Sequence, residues 1–231
     1  MQTHVSLPLP LPLCLAGMKV DMGGAAGVFG AFVAAVKMGF THNLYCLLAI
    51  AENSVGPRAT RPDDIHVLYS GKTVEINNTD AEGRLVLGDA VAYAAEAFSP
   101  DVLVNMCTLT GAQGVATGKL HASIVCSDEE LETRAVAAGR ACGDLVHPLM
   151  WCPELFANEF RSKVADMKNS VANRSNAQVS CAAQFICNHL PAGFTDEHAW
   201  LHIDMAAPAK NDERATGYGV ALLSQLFALE Y

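Results

Sequence analysis

The sequence predicts an α/β protein with a mixed, largely parallel sheet sandwiched between helices. Hydrophobic residues make up 51% of the 231 residues and aromatic residues only 7%, a composition that suits a sheet buried on both faces. Short apolar runs of strand length alternate along the chain with segments of helical periodicity. The sequence contains no internal repeat, so one domain is expected.

Helical spacing and end signals predict the helices. Asp21 is a potential N-cap for a helix that stops at Gly39. A second helix has apolar residues at helical spacing and ends before Ser99-Pro100. The predicted helices are residues 21–38, 84–98, 129–142, 153–161, 178–189 and 219–229.

Continuous or alternating apolar runs predict the strands, and polar or glycine-rich stretches predict the loops between them. The predicted strands are residues 43–51, 64–69, 72–76, 101–107, 123–126 and 200–204. The predicted loops are residues 52–63, 77–83 and 166–176, with a glycine-rich loop or short helix at residues 108–118.

Charge and hydropathy exclude two classes of partner. The formal net charge is −9, which argues against a nucleic-acid binder held by phosphate contacts. The chain has no uninterrupted run of about 18 apolar residues, so no membrane span is predicted.

Eight cysteines lie in apolar segments, without a CxxC pair or zinc-finger spacing. We expect them to be reduced and mostly buried, as in a protein of the cytoplasm. Residues 1–17 are apolar but lack a basic start, and their Leu-Pro alternation would break a helical signal sequence. They are predicted to be an unstructured leader, with the folded domain at residues 18–231.

The most informative loop is residues 77–84, NNTDAEGR, which follows a predicted strand. Asp80 and Glu82 are two residues apart, so in an extended stretch both carboxylates project to the same side. Such a pair suits a hard or borderline cation, or an acid–base pair. A solvated loop in which Asp80 caps the following helix is the alternative.

Other candidate residues carry weaker signals. Asp21 precedes Gly23-Gly24, and it is either a simple N-cap or a carboxylate that small neighbours leave accessible. The glycine-rich runs complete no nucleotide motif, and no HExxH or GxSxG motif occurs. His202 and Asp204 share one face of a predicted strand and are expected to be a satisfied core pair.

NTDAEGR, at the end of a strand and before an apolar helix, resembles the signature of the leucine aminopeptidase (cytosol aminopeptidase) family of two-metal exopeptidases. The resemblance covers about residues 18–229 and is closest to the aminopeptidase-like branch of animals. Supporting motifs occur in family order: MKVDMGGAA (18–26), AENSVGPRATRPDD (51–64), TLTGA (108–112), ADMKN (165–169), HIDMAAP (202–208) and ATGYGVALL (215–223).

The resemblance implies metal-assisted hydrolysis of the first peptide bond of a peptide substrate, two zinc or manganese ions per subunit, and a hexamer. Asp21, Asp80 and Glu82 would be metal ligands. Arg84 would anchor a bicarbonate or a water network that relays the proton. Four residues would line the pocket for the N-terminal residue of the substrate: Met18, Thr108, Gly111 and Ala206.

The chain also departs from the family pattern. The family places a strand upstream of the first helix, with a lysine and an aspartate that bind metal, followed by a second lysine that polarises the substrate carbonyl. Here residues 1–17 occupy that place, and Lys19 is not that lysine. We therefore expect one weakly held ion at most, and little or no activity. A non-catalytic interaction subunit and a truncated gene model are the alternatives.

Overall fold

A computed structural model describes residues 17–228, and every element below belongs to that part of the chain. The α-helices are α1 (Gly23–Met38), α2 (Gly83–Phe98), α3 (Gly111–Ala116), α4 (Glu129–Cys142), α5 (Pro153–Phe156), α6 (Gln178–Cys187), α7 (Phe194–Glu197) and α8 (Val220–Leu223). Short 3₁₀ helices cover Met18–Met22 and Ala157–Phe160, and a π-helical turn covers Ser224–Ala228.

The strands are β1 (Ile65–Val67), β2 (Thr73–Glu75), β3 (Val102–Cys107), β4 (Ala122–Cys126), β5 (Val146–Pro148), β6 (Met167–Lys168), β7 (Ala199–Asp204), β8 (Lys210–Asn211) and β9 (Arg214–Ala215). They form a four-stranded sheet of order β3-β7-β4-β5, a three-stranded sheet of order β1-β2-β6 and the hairpin β8-β9.

The four-stranded sheet is mixed and lies between helices, as predicted. β3 is parallel to β7 and β4 is parallel to β5, whereas β4 and β7 are antiparallel. Successive side chains of β7 enter opposite apolar layers: Leu201 packs with residues of α4 and α8, and Trp200 with residues of α2 and α6. Because both faces are covered, β7 can consist almost entirely of buried residues.

The smaller sheet places the loop after β2. β1 and β2 are antiparallel, and β2 runs parallel to β6 with Glu75 opposite Lys168. β6 lies within residues 166–176, where the sequence predicted only a loop. A third apolar cluster, which includes Val74 and Phe185, packs this sheet against α6.

Helix α1 approaches β3 very closely. A Cβ added at Gly24 would stand 2.2 Å from the carbonyl oxygen of Met106, so only glycine fits there. The opposite face of α1 is apolar and exposed, with Phe29 at 51% and Val36 at 58%. In the described part of the chain, Met18–Met38 is the one helical stretch long and apolar enough to span a membrane by length and composition alone.

Two predictions about element boundaries are wrong. Asp21 does not cap α1, because it lies inside the preceding 3₁₀ helix and α1 begins at Gly23 without a side-chain cap. Residues 43–51 do not form a strand. Their backbone N–H and C=O groups pair with no other backbone within residues 17–228, and Ile50 is 77% exposed. An apolar run becomes a strand only when a neighbouring strand takes its hydrogen bonds.

The cysteines within the described range form no disulfide with one another. Cys107, Cys126 and Cys181 are buried and the other four are half-buried, so burial is less complete than predicted. Cys14 and the predicted leader up to residue 16 lie outside the described residues.

Candidate functional site

The register of β3 and β7 brings two loops to one edge of the main sheet. Cys107 and Asp204 are the last residues of these parallel strands and stand opposite each other. The chain segments that follow them therefore leave the sheet side by side. They leave at the carboxyl ends of the strands, which is the edge where α/β proteins place ligands. Three of the four predicted pocket residues, Thr108, Gly111 and Ala206, lie in these segments.

Asp204 ties the two loops together. Its carboxylate accepts hydrogen bonds from Leu109 N (3.1 Å), from the N and Oγ1 of Thr110 (3.1 and 2.7 Å) and from Ala206 N (3.2 Å). Burial raises the pKa of Asp204 to about 6, although these hydrogen bonds favour the ionised form. The carboxylate therefore fixes Ala206 relative to the segment that carries Thr108.

Asp21 reaches the same edge from the 3₁₀ helix that precedes α1. The close approach of α1 to β3 places the 3₁₀ helix Met18–Met22 beside the loop after β3. Thr108 Oγ1 donates a 2.8 Å hydrogen bond to Asp21 Oδ1. Met18, the fourth predicted pocket residue, lies at the start of this turn and is 51% exposed.

Residues 77–82, here named the carboxylate loop, follow β2 and are held by the residue that follows β6. Asn169 is fully buried, and its Oδ1 accepts hydrogen bonds from Asn77 N (3.0 Å) and Asn78 N (3.2 Å). Its Nδ2 donates to the carbonyl oxygens of Asn78 (2.7 Å) and Ala81 (3.2 Å). One side chain therefore bonds to the loop on both sides of Asp80.

Asp80 is exposed and Glu82 is half-buried. Glu82 stands at the N-cap of α2 without a side-chain capping bond, and its Oε1 accepts a 3.3 Å hydrogen bond from Asn53 Nδ2. Burial raises the pKa of the Glu82 carboxyl, and the negative charges of Asp21 and Asp80 raise it further. The negative charges of Asp21 and Asp80 therefore both act on the carboxylate of Glu82.

Arg84 is the second residue of α2 and is buried. Its Nη1 donates a 3.0 Å hydrogen bond to the carbonyl oxygen of Asn169, and the guanidinium carbon lies 6.0 Å from the ring centre of Phe185. Burial lowers its pKa to about 10, so it remains a cation at neutral pH. Its Nε is buried and has no hydrogen-bond partner within the described chain.

The carboxylates fit a divalent cation by their chemistry, because oxygen donors suit such ions and a positive charge would offset the negative charges of Asp21 and Asp80 that act on Glu82. Residues 17–228 contain no group of three or more His, Cys, Asp or Glu side chains at the spacing of a metal site. The binding of one ion by Asp21, Asp80 and Glu82 together stays a prediction.

Sequence reasoning gave Asn169 no role, although the motif ADMKN had been recognised. The signal was a polar residue directly after an apolar strand, but β6 is too short for its periodicity to mark a strand. His202 and Asp204 were expected to be a satisfied core pair; both are buried, but they do not bond to each other, and His202 Nε2 has no hydrogen-bond partner among the described residues. The partners of Asp204 are the loop amides, whereas His202 Nδ1 pairs with Asn105 Nδ2 at 2.8 Å.

Comparison with known proteins gives a consistent result. Residues 13–224 match the model of the cytosol aminopeptidase family, catalytic domain, so the match begins within the predicted leader. The chain is 62% identical over 211 residues to a human protein named "Probable aminopeptidase", covering 91% of this chain and 40% of the relative. It is 50% identical over 210 residues to leucine aminopeptidase 1 of Caenorhabditis elegans, covering 90% of this chain and 42% of the relative.

Solved structures agree. The apo structure of leucyl aminopeptidase from Trypanosoma cruzi superposes with a TM-score of 0.91 at 53% identity, over 96% of this chain and 43% of that one. The leucine aminopeptidase of Caenorhabditis elegans superposes with a TM-score of 0.88 at 46% identity, over 96% of this chain and 45% of that one. The chain thus spans about 40% of the length of the curated relatives that it matches.

Proposed function

Because the chain belongs to the cytosol aminopeptidase family, whose members are metalloaminopeptidases, we propose that it carries part of a site that releases N-terminal amino acids from peptides. We further propose that these 231 residues alone have little or no such activity. The observation that carries the proposal is that Asp21, from the 3₁₀ helix, and Asp80, from the carboxylate loop, both act electrostatically on Glu82, which stands two residues before the buried Arg84.

In this proposal Asp21, Asp80 and Glu82 hold at most one divalent ion, zinc or manganese, with water completing its shell. When bound, such an ion supplies Lewis acidity and a water of lowered pKa. Thr108 orients Asp21 through its 2.8 Å hydrogen bond. Asn53 does the same for Glu82, so both side chains are held before any ion arrives.

Arg84 binds an anion or an ordered water in the proposed site. Its buried Nε has no partner among the described residues, and an acceptor there would relieve the cost of an unsatisfied charged group. A bicarbonate or a water network at this position would hold a proton close to Glu82. Arg84 also stabilises ionised Glu82 electrostatically.

Substrate binding is proposed for the edge at which β3 and β7 end. Thr108, Gly111 and Ala206 would contact the N-terminal residue of a peptide, with Met18 at the outer side. Exposed Gly111 and half-buried Ala206 have no long side chains that could block an approaching backbone. Asp204 holds both segments in place, so the pocket does not depend on flexible loops alone.

The low activity follows from the groups that the family resemblance places upstream. Hydrolysis needs a positive group at the developing oxyanion, and loss of one such donor reduces turnover by about 100- to 1000-fold. No residue of this chain matches the family's electrophilic lysine, and the family's upstream metal ligands have no match either.

Turnover of leucine p-nitroanilide tests the proposal. The 231-residue chain, with added zinc or manganese, is compared with a longer chain that carries the upstream segment of the human relative. We expect a metal-dependent rate in the longer chain alone, abolished by Glu82→Ala and unaffected by Glu130→Ala, which changes an exposed residue of α4. Equal rates from the short and long chains would contradict the proposal.

A second candidate is a non-catalytic subunit that packs with longer family members in the cytoplasm, for example in a hexamer. The uncovered apolar surface of α1 and of residues 43–51 favours it. Size-exclusion chromatography with light-scattering detection, applied to a mixture of this chain and the longer chain, tests this second candidate. A mixed oligomer would support this role, and separate elution of the two chains would contradict it.

A further inference from the structure

We infer that Asn169 is the positioning residue of the carboxylate loop: its side-chain amide fixes the backbone on both sides of Asp80. This inference deepens the proposed function and rests on it for its consequence at the metal. Neither the sequence motifs nor the family resemblance gave this residue a role.

The geometry uses every hydrogen-bonding position of the amide. Two backbone N–H groups, of Asn77 and Asn78, point at Oδ1, and two carbonyl oxygens, of Asn78 and Ala81, receive the Nδ2 protons. This pattern fixes which side-chain atom is the oxygen, because a flipped amide would oppose donors to donors. A primary amide is the side-chain group that satisfies two donors and two acceptors at once.

The backbone of Asn169 adds two further ties. Its N–H donates a 3.0 Å hydrogen bond to the carbonyl oxygen of Glu75, which continues the pairing of β2 with β6. Its carbonyl oxygen accepts the 3.0 Å hydrogen bond from Arg84 Nη1. Asn169 therefore links the end of β2, the loop with Asp80 and the buried arginine of α2 into one network.

The residue is fully buried, so water cannot replace these bonds when the side chain is removed. Asp80 itself is exposed, and its backbone N–H is held by Asn78 Oδ1 at 3.0 Å. Its position relative to Glu82 thus depends on the backbone between Asn78 and Ala81, which is the segment that Asn169 holds.

The test combines amide exchange by NMR with manganese binding by the 231-residue chain. In the wild type we expect the amide protons of Asn77 and Asn78 to exchange as slowly as those of β2. In Asn169→Ala both amides should exchange at least about tenfold faster, because their acceptor is gone. The affinity for Mn²⁺ should fall about 10- to 100-fold, as for other residues that orient metal ligands.

Asn105→Ala is the matched control. Asn105 is also a buried asparagine, but its amide bonds to Trp200 Nε1 and His202 Nδ1, away from the carboxylate loop. It should lower the melting temperature while leaving Mn²⁺ affinity and the exchange of Asn77 and Asn78 unchanged. If Asn169 had only a structural role, Asn169→Ala and Asn105→Ala would have the same effect on Mn²⁺ affinity and on the exchange of Asn77 and Asn78. That result would overturn the inference.

A third variant and the wild-type measurements also test the role of Asn169. Asn169→Asp keeps an acceptor for the two N–H groups but sets a carboxylate against the carbonyls of Asn78 and Ala81, so it should weaken Mn²⁺ binding even if exchange stays slow. Fast exchange of Asn77 and Asn78 in the wild type would overturn the inference without any variant. If the wild type binds no Mn²⁺, the proposed function fails, and the exchange measurements alone decide the role of Asn169.

Discussion

Three buried side chains with shifted pKa values, His189, His202 and Asp204, contribute to the way the stability of the molecule depends on pH. His189 is 1% exposed, and its Nδ1 lies 2.7 Å from Ser70 Oγ. Burial lowers its pKa to about 4, and burial lowers that of His202 to about 3. Asp204 acts in the opposite direction, since its raised pKa of about 6 makes the ionised form costly in the folded state.

We predict that the chain loses stability on acidification because buried His189 resists protonation in the folded state. An unfolded histidine takes up a proton near pH 6.5, whereas folded His189 does so only near pH 4, so stability that is present above pH 6.5 is lost as pH falls through this window. From pH 7 to pH 5 the loss is about 2 kcal/mol. Urea unfolding at both pH values should show a smaller loss in His189→Asn, which keeps an acceptor for Ser70.

Ser70→Ala is the control for this prediction, because it removes the same hydrogen bond but keeps the imidazole. It should lower the free energy of unfolding at both pH values and keep most of the pH dependence, because burial is the larger cause of the lowered pKa of His189. If His189→Asn showed the same pH dependence as the wild type, the assigned protonation of His189 would be wrong.

The residues that sequence reasoning could find are those whose chemistry is visible in one short segment. Asp80, Glu82 and Arg84 stand within one polar loop between apolar runs. Asn169 was missed because its role exists only through partners some 90 positions earlier in the chain, such as Asn77 at a separation of 92. No spacing rule connects residues that meet through the parallel pairing of β2 with β6.

At the scale of elements, helix α1 depends on the closeness of its contact with β3. We predict that Gly24→Ala destabilises the chain by more than about 3 kcal/mol, since overpacking here would displace backbone. The new Cβ would meet Met106 O at 2.2 Å and Cys107 Cα at 2.6 Å. Chemical unfolding of the purified variant measures this loss, and an inability to fold would also fulfil the prediction.

Gly30→Ala in the same helix is the matched control. Its new Cβ would stand 2.7 Å from Val220 Cγ2, a side-chain atom that can move, and alanine gains about 1 kcal/mol of helix propensity in both variants. The cost at Gly30 should therefore be much smaller. Equal stabilities of the two variants would contradict the close packing of α1 on β3.

Local pattern predicted the longer elements, but not the short strands β5, β6, β8 and β9, the one-turn helix α7, or the failure of residues 43–51 to form a strand. α4 matches its predicted range because Asp128 accepts a 2.7 Å bond from Leu131 N and Gly143 ends the helix with a φ of 91°. Residues 43–51 are just as apolar as a buried strand, yet their backbone is unpaired in the described part of the chain. Periodicity reports what a segment can bury, whereas a strand also needs a neighbour.

For the whole molecule, the cysteines give a test of compartment. We predict that alkylation of the native protein followed by mass spectrometry finds free thiols throughout. Cys107, Cys126 and Cys181 should react only after denaturation, because they are buried and burial raises the pKa of each thiol. Two or more disulfides would contradict the proposed cytoplasmic setting.

The whole chain covers about 40% of the length of its curated relatives. Its surface is consistent with this partial coverage, because apolar side chains are left exposed. The outer face of α1 and the unpaired residues 43–51 expose apolar side chains that a larger fold would be expected to cover. The sequence resemblance predicted the fold and the family correctly. It could not predict which apolar surfaces are left uncovered, because that depends on elements these residues do not supply.

The central claim is that Asp21, Asp80 and Glu82 together form one weak divalent site, and calorimetric titration of the 231-residue chain with Mn²⁺ tests it most directly. We predict one ion per chain with a dissociation constant on the order of 0.1 mM or weaker. Asp21→Asn and Glu82→Ala should each abolish binding, whereas Glu130→Ala should not change it. Two tightly bound ions, or binding that survives the loss of Asp21, would contradict the account.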